Sequence, residues 1–266
     1  MIQALKKKWN QLYGLTNSIK PLKLGIHMAK ELDNLRQRKK RLMFYSQFLS
    51  KGDLCFDIGA NTGNRTAIFA ELGCKVVAVE PQEECLRQLM KKFGKNKRVT
   101  LVKKAVAEKT GKKELYICHA DAISSTSKDW IEAVKRSGRY VGFKWSRKET
   151  VATTTLDELI KEFGKPAFCK IDVEGSELSV LNGLTKPIRH LSFEFSTDYM
   201  PAATKSIHYL SKLGQPLFNY SAGESMKLAL NEWVDARQII RSLKHFHPRV
   251  VWGDVYVWFS GTGVNR

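Results

Sequence analysis

Acidic residues are scarce in this chain. Asp and Glu number 26 against 45 Lys and Arg, a formal net charge of +19. That imbalance excludes an acidic surface and favours phosphate-rich or otherwise anionic partners. Long apolar runs are missing too: no stretch of about 18 apolar residues occurs, so no membrane-spanning helix is expected. Lys6, Lys7 and Lys8 are followed by a mixed segment rather than an apolar core, so no secretory leader is expected either. Cysteine is sparse and unpatterned. Cys55, Cys74, Cys85, Cys118 and Cys169 are odd in number and form no C-x-x-C, which argues against a disulfide framework or a zinc site. Reduced, packed thiols in a cytoplasmic protein are the expectation. Internal repeats, low-complexity tracts and interdomain linkers are absent, and 266 residues suffice for one large α/β domain with appendages.

The positive charge is regional. Residues 1–50 carry 11 Lys and Arg against 2 acids, and residues 91–113 carry 10 against one, Glu108. Nucleic acid, an anionic membrane surface and a phosphorylated substrate all fit such regions, as does a merely solvated surface. Ile2, Leu5, Trp9, Leu12 and Tyr13 share one face of a helix, a pattern that suits peripheral membrane attachment or packing on the main domain. Pro21 and Gly25 are expected to interrupt it, and a second helical region runs from about His27 to Leu49. Its last turns, with Phe44, Tyr45, Phe48 and Leu49, are expected beside the first strand.

The most informative stretch is Asp53 to Gly63, DLCFDIGANTG. A short apolar run ends in Asp57. A turn with Gly59 and Gly63 follows, and a helical pattern then begins. Glycines there allow close backbone approach, and the new helix offers free N–H groups. The spacing is neither G-x-G-x-x-G nor the phosphate loop G-x-x-x-x-G-K-[ST]. An acid at the strand tip repels a pyrophosphate but suits a ligand with an amino group, such as S-adenosylmethionine. One helix later KVVAVE ends in Glu80, placed to hold both hydroxyls of a ribose.

Strands are expected at 53–58, 75–80, 99–102, 167–172, 190–195 and 250–259. Helices are expected at 64–72, 82–93, 156–163, 176–182, 202–213 and 233–244. The alternation implies a mainly parallel sheet with helices on both faces. Asp57, Glu80 and Asp172 then fall at strand C-termini, where such sheets bind ligands. Two segments break the alternation, 119–150 and 221–247, and both are candidates for substrate recognition.

The residues Asp57-Ile58-Gly59-Ala60-Asn61-Thr62-Gly63, Val79-Glu80-Pro81 and Lys170-Ile171-Asp172-Val173-Glu174-Gly175-Ser176-Glu177 resemble the FkbM family of S-adenosylmethionine-dependent methyltransferases. The likeness runs from about Gly52 to Phe195 and more weakly to the strand at 255–259. It implies an α/β, Rossmann-like class I methyltransferase fold over 51–266, preceded by a basic helical region over 1–50. It also implies O-methylation of a sugar, glycan or other small molecule. The expected cofactor set is Asp57, Gly59, Asn61, Gly63, Glu80 and Asp172.

Asp172 is expected at the methionine end of the cofactor or at the acceptor hydroxyl. Glu174 and Glu194 are the substrate or base candidates, with turn chemistry and a buried salt bridge as their respective alternatives. Glu177 reads as a helix-start acid, and His119 as a packing residue. A divalent cation among Asp172, Glu174 and Glu194 is chemically feasible, but no His or metal-type spacing supports it and none is assigned. Two other functions stay open. One is a ribose methyltransferase of nucleic acid; base methylation is disfavoured because Asp172-Val173-Glu174-Gly175 stands where Asp/Asn-Pro-Pro-Tyr/Phe would be expected. The other is a non-catalytic cofactor-binding protein.

Overall fold

The computed structural model describes residues 21–120, 123–245 and 251–260. The helix expected over 2–13 lies outside them. The chain divides into two compact units, one ending at Arg41 and one starting at Leu42. Helix α1 (Pro21–Tyr45) supplies the described part of the first and the first residues of the second. It starts at Pro21 and runs through Gly25, where an interruption was expected. Proline is tolerated in the first helical turn, whose N–H groups have no intrahelical partner. An interior glycine costs only about 1 kcal/mol, less than a break would cost.

The second unit is built on a seven-stranded sheet among the described residues, in the order β3-β2-β1-β7-β8-β10-β9. Its strands are β1 (Leu54–Ile58), β2 (Lys75–Val79), β3 (Val99–Val102), β7 (Phe168–Ile171), β8 (His190–Ser196), β9 (Pro216–Ala222) and β10 (Trp252–Phe259). The first five pair in parallel, whereas β10 runs antiparallel to both β8 and β9. Runs such as KVVAV and FCKI form strands because both sheet faces are covered and, beyond the exposed Lys75, every position is buried.

The helices between them are α2 (Asn64–Glu71), α3 (Glu83–Phe93), α5 (Leu156–Phe163), α6 (Glu177–Asn182), α7 (Met200–Lys212) and α8 (Ala236–Lys244). Their ends carry local signals. Glu83 and Glu84 open α3 and Lys91 and Lys92 close it, matching the helix dipole. Thr155 caps α5 by accepting from the Glu158 N–H. Asp235 and Gln238 form a capping box at α8.

The segment 119–150 is not irregular, as its polarity suggested. It contains helix α4 (Lys128–Arg136) and enters strand β6 (Trp145–Thr154). β6 pairs with β5 (Gly111–Cys118) and with the short β4 (Ala105–Val106) in a second, three-stranded sheet. Trp130, Ile131 and Val134 of α4 pack on Tyr116, Cys118 and Ile123 in a satellite core. The strand pattern was hidden because the early part of β6 is exposed, and Arg147-Lys148-Glu149 interrupts any apolar alternation.

Under the main sheet, Phe168 is fully buried and its ring lies 5.5–6.4 Å from those of Tyr45, Phe48, Phe69 and Tyr256. The last turns expected beside the first strand are therefore part of this core. Phe168→Ala should lower unfolding free energy by about 3–5 kcal/mol. The exposed Met43→Ala should change it by less than about 0.5 kcal/mol. Urea denaturation of the two variants decides the point, and equal losses would refute this packing.

Candidate active site

The direction of strand order reverses between β1 and β7, and the crevice lies there. Asp57 is on β1, Glu80 follows β2 and Asp172 follows β7, so all three stand at one edge. A cavity of ≈ 270 Å³ opens between them and is lined by Asp57, Gly59, Asn61, Glu80, Asp172 and Glu174, among others. All the expected cofactor residues except Gly63 line it.

Backbone bonds fix the turn. The N–H groups of Gly59 and Ala60 both donate to the Val79 carbonyl, at 2.9 and 3.1 Å. Gly63 bonds back to Ala60 at 2.8 Å and caps α2 with φ 86°. The glycines also serve contacts within the protein. A Cβ on Gly59 would stand 1.8 Å from the Asp172 carbonyl oxygen, and one on Gly63 would meet Phe93 and Leu89 at 2.5 and 2.8 Å. Gly59 thus lets the ends of β1 and β7 touch, and Gly63 lets α2 pack on α3.

Asn61 takes a left-handed φ of 48°, which Asn tolerates better than most residues. Its side-chain oxygen accepts from the Thr62 N–H at 2.7 Å. Its own N–H donates to Glu80 at 2.8 Å, and Gln82 N–H donates to the other Glu80 oxygen at 2.9 Å. Each carboxylate oxygen keeps a lone pair for a ribose hydroxyl. Burial pushes Glu80 up to about 7, against the pull of those two N–H groups. Asp57 accepts from the Thr66 hydroxyl at 2.5 Å, and burial raises its pKa. An ammonium group brought beside it would offset that desolvation. The donor set therefore fits an aminoacyl nucleoside: an acid for the diol at one end and acids for an ammonium at the other.

Beside the cavity, carboxylate oxygens of Asp172, Glu174 and Glu194 lie within 4.8 Å of one another. The sequence candidates are thus brought together. Glu174 sits in the turn after β7 with φ 51°. Burial and then the charges of Asp172 and Glu177 hold it well above the usual carboxylate range. Glu194, on β8, is raised by burial and then by Glu174 and Asp172. No salt bridge from Glu194 to Lys or Arg is present among the described residues. Glu177 has a structural task, accepting from Val173 and Gly175 N–H at 3.1 Å each. His119 stacks on Phe143 at 5.1 Å.

Sequence reasoning missed the partner of Asp172. Lys170 is 1 % exposed and donates to Asp172 at 3.1 Å and to Asp254 at 2.8 Å. Burial opposes its charge, but the two carboxylates outweigh burial and keep it protonated. A lysine inside an otherwise apolar strand was the available signal. Arg65, Glu224 and the run Ser124–Thr126 also line the cavity.

A family model described as "Methyltransferase FkbM domain" matches residues 57–242. No curated protein matches the chain. Among solved structures, precorrin-6y C5,15-methyltransferase from Geobacter metallireducens GS-15 is 14% identical, covers 84% of this chain and 87% of its own, and has a TM-score of 0.43. An rRNA methylase from Streptococcus thermophilus is 13% identical over 82% of this chain and 92% of its own, with a TM-score of 0.41. Fibrillarin from Aeropyrum pernix, solved with natively bound S-adenosyl-L-methionine, is 8% identical over 78% and 67%, with a TM-score of 0.42. At such scores these likenesses bear no weight on function. The fold, the acid at each strand tip and the family match define a Rossmann-like, S-adenosylmethionine-dependent methyltransferase. The chain belongs to the FkbM methyltransferase family.

Two outcomes follow for Glu80. Glu80→Ala should weaken S-adenosylhomocysteine binding by about 1–3 kcal/mol in calorimetry, the loss of hydrogen bonds to a charged group. The folded-state pKa of Glu80, about 7, lies above its ordinary value of 4.5. The folded state therefore holds the extra proton, and stability falls as pH rises through that window. Glu80→Gln should flatten part of that fall when melting temperatures are compared at about pH 5 and about pH 7.5. An unchanged slope would refute the burial assigned to Glu80.

Proposed function

We propose that this enzyme transfers the methyl group to a hydroxyl of a sugar, glycan or other small molecule. The convergence of Asp172, Glu174 and Glu194 beside the donor cavity carries the reading. When bound, S-adenosylmethionine supplies an electrophilic methyl carbon on a sulfonium. The chain's part is to orient the acceptor oxygen and to take its proton. Lys170 holds Asp172 in place at 3.1 Å, and Asp172 then accepts the hydroxyl hydrogen bond. Glu174 and Glu194, raised by burial and by neighbouring carboxylates, hold their protons more tightly. Such acids donate to a second hydroxyl, which suits a diol. Tyr140 stands near enough to Glu174 and Glu194 that burial and then Glu174 push it up to about 12.

The basic regions support a second contact, with an anionic membrane surface or nucleic acid. In 91–113, Lys91, Lys95, Lys97, Lys109 and Lys112 are exposed, while Lys103 pairs with Glu83 and Lys113 with Glu108. A phosphate at the reacting centre would meet three carboxylates, which disfavours nucleic acid as the acceptor itself. No described helix is long and apolar enough to cross a membrane. The five cysteines are free and buried, which supports a cytoplasmic setting.

Incubation with labelled S-adenosylmethionine and panels of saccharides or RNA tests the acceptor class. Label in RNA alone would sink the saccharide reading. Asp172→Asn should cut turnover by about 10²–10⁴-fold, the range for losing a general base. Its S-adenosylhomocysteine affinity should change far less. Glu194→Gln should also slow turnover without lowering the melting temperature. A full-rate Asp172→Asn enzyme would overturn the assignment.

A further inference from the structure

The donor cavity is lined by five carboxylates but, among the described residues, by only two cations, Arg65 and Lys104. S-adenosylmethionine brings two positive groups, a sulfonium and an ammonium, and one carboxylate. The positive groups have acids to meet. The carboxylate has these two cations, besides backbone N–H groups and neutral donors such as Asn64, Ser124 and Thr126.

Their positions separate them. Lys104 follows β3, and its N–H bonds the Val102 carbonyl at 3.1 Å. Glu80 N–H bonds the same carbonyl at 3.0 Å, so Lys104 belongs to the ribose end. Arg65 is the second residue of α2, next to Thr66, whose hydroxyl holds Asp57. That is the end where the ammonium fits, and in an amino acid the carboxylate shares its carbon.

Arg65 also has donors to spare. Its side chain is 12% exposed, and Nη2 donates to Glu224 at 2.6 Å. Its Nε is buried and has no hydrogen-bond partner. A guanidinium offers a planar fork that matches a carboxylate. Here only part of that fork is used by Glu224, which comes from the loop after β9 and lines the same cavity.

We propose that Arg65 binds the α-carboxylate of the methyl donor through the part of its guanidinium that lines the cavity beside the Glu224 contact. The inference rests on the cavity being the donor site. Arg65 thereby joins the loop carrying Glu224 to the amino-acid end of the cofactor.

Calorimetry with two ligands tests this without an acceptor. S-adenosylhomocysteine has the amino-acid end; 5′-methylthioadenosine keeps adenine, ribose and sulfur but lacks it. Arg65→Met should weaken the first by about ten- to a hundredfold, the loss expected for a hydrogen bond to a charged group. It should leave the second within about twofold. Arg65→Lys, which keeps the charge and the packing stem, should lose less on S-adenosylhomocysteine. Glu224→Gln should bind S-adenosylhomocysteine at least as well as wild type, since a competing anion is removed. Equal losses on both ligands in Arg65→Met would overturn the proposal, as would no loss on either. So would a Glu224→Gln defect matching that of Arg65→Met, which would place the effect in loop packing. A wild-type protein that binds neither ligand would instead overturn the donor site and this inference with it.

Discussion

A lysine with no access to solvent is the constraint around which this enzyme is organised. Lys170 sits on β7, separated from β10 by β8, and its ammonium holds Asp172 and Asp254 together. Desolvating such a charge costs several kcal/mol before any attraction returns it, so a buried ion pair adds little net stability. Removing one partner is another matter, because it strands the rest at a cost of about 3–5 kcal/mol. The arrangement therefore contributes specificity of position more than strength. Asp254 must come opposite Glu194 on β8, as the register places it. Asp172 must leave β7 pointing toward the cavity.

The same economy governs the glycines of the first turn. A sequence motif shared by many nucleotide-binding turns invites the view that glycine makes room for the ligand. Here the room at Gly59 is taken by the Asp172 carbonyl, and at Gly63 by α3 side chains. Both substitute for contacts between elements. The ligand benefits indirectly, because the two strand ends that carry Asp57 and Asp172 are drawn together.

Legibility in the sequence followed burial. Strands covered on both faces, such as β2 and β7, announced themselves as apolar runs, and their acidic ends announced the cavity. The expected strand 99–102 coincides with β3, and the expected helix 156–163 with α5. One-sided elements did not show. β6 begins with exposed, charged positions, and α4 follows a Ser-rich stretch that reads as loop. The site was legible where chemistry sat at a strand tip. It was not legible where two distant residues meet: Lys170 with Asp254, or Arg65 with Glu224. Nothing local marks Glu224, whose role depends on a loop path that only the fold determines.

The placement of β10 has a kinetic consequence. It lies between β8 and β9 although it follows both in the chain, so β9 cannot join the sheet until β10 has arrived. Lys170 likewise waits for Asp254, 84 positions later. Contacts of such sequence separation form late, because loop closure precedes any return in free energy. As the chain emerges from a ribosome, the parallel half with its cofactor turn can condense early around an ammonium still lacking one counter-ion. The last strand then both completes the sheet and neutralises its centre. Docking of β10 is thus expected among the last steps of folding, and a chain cut before β10 keeps the cofactor motif but loses the strand that joins β9 to the sheet.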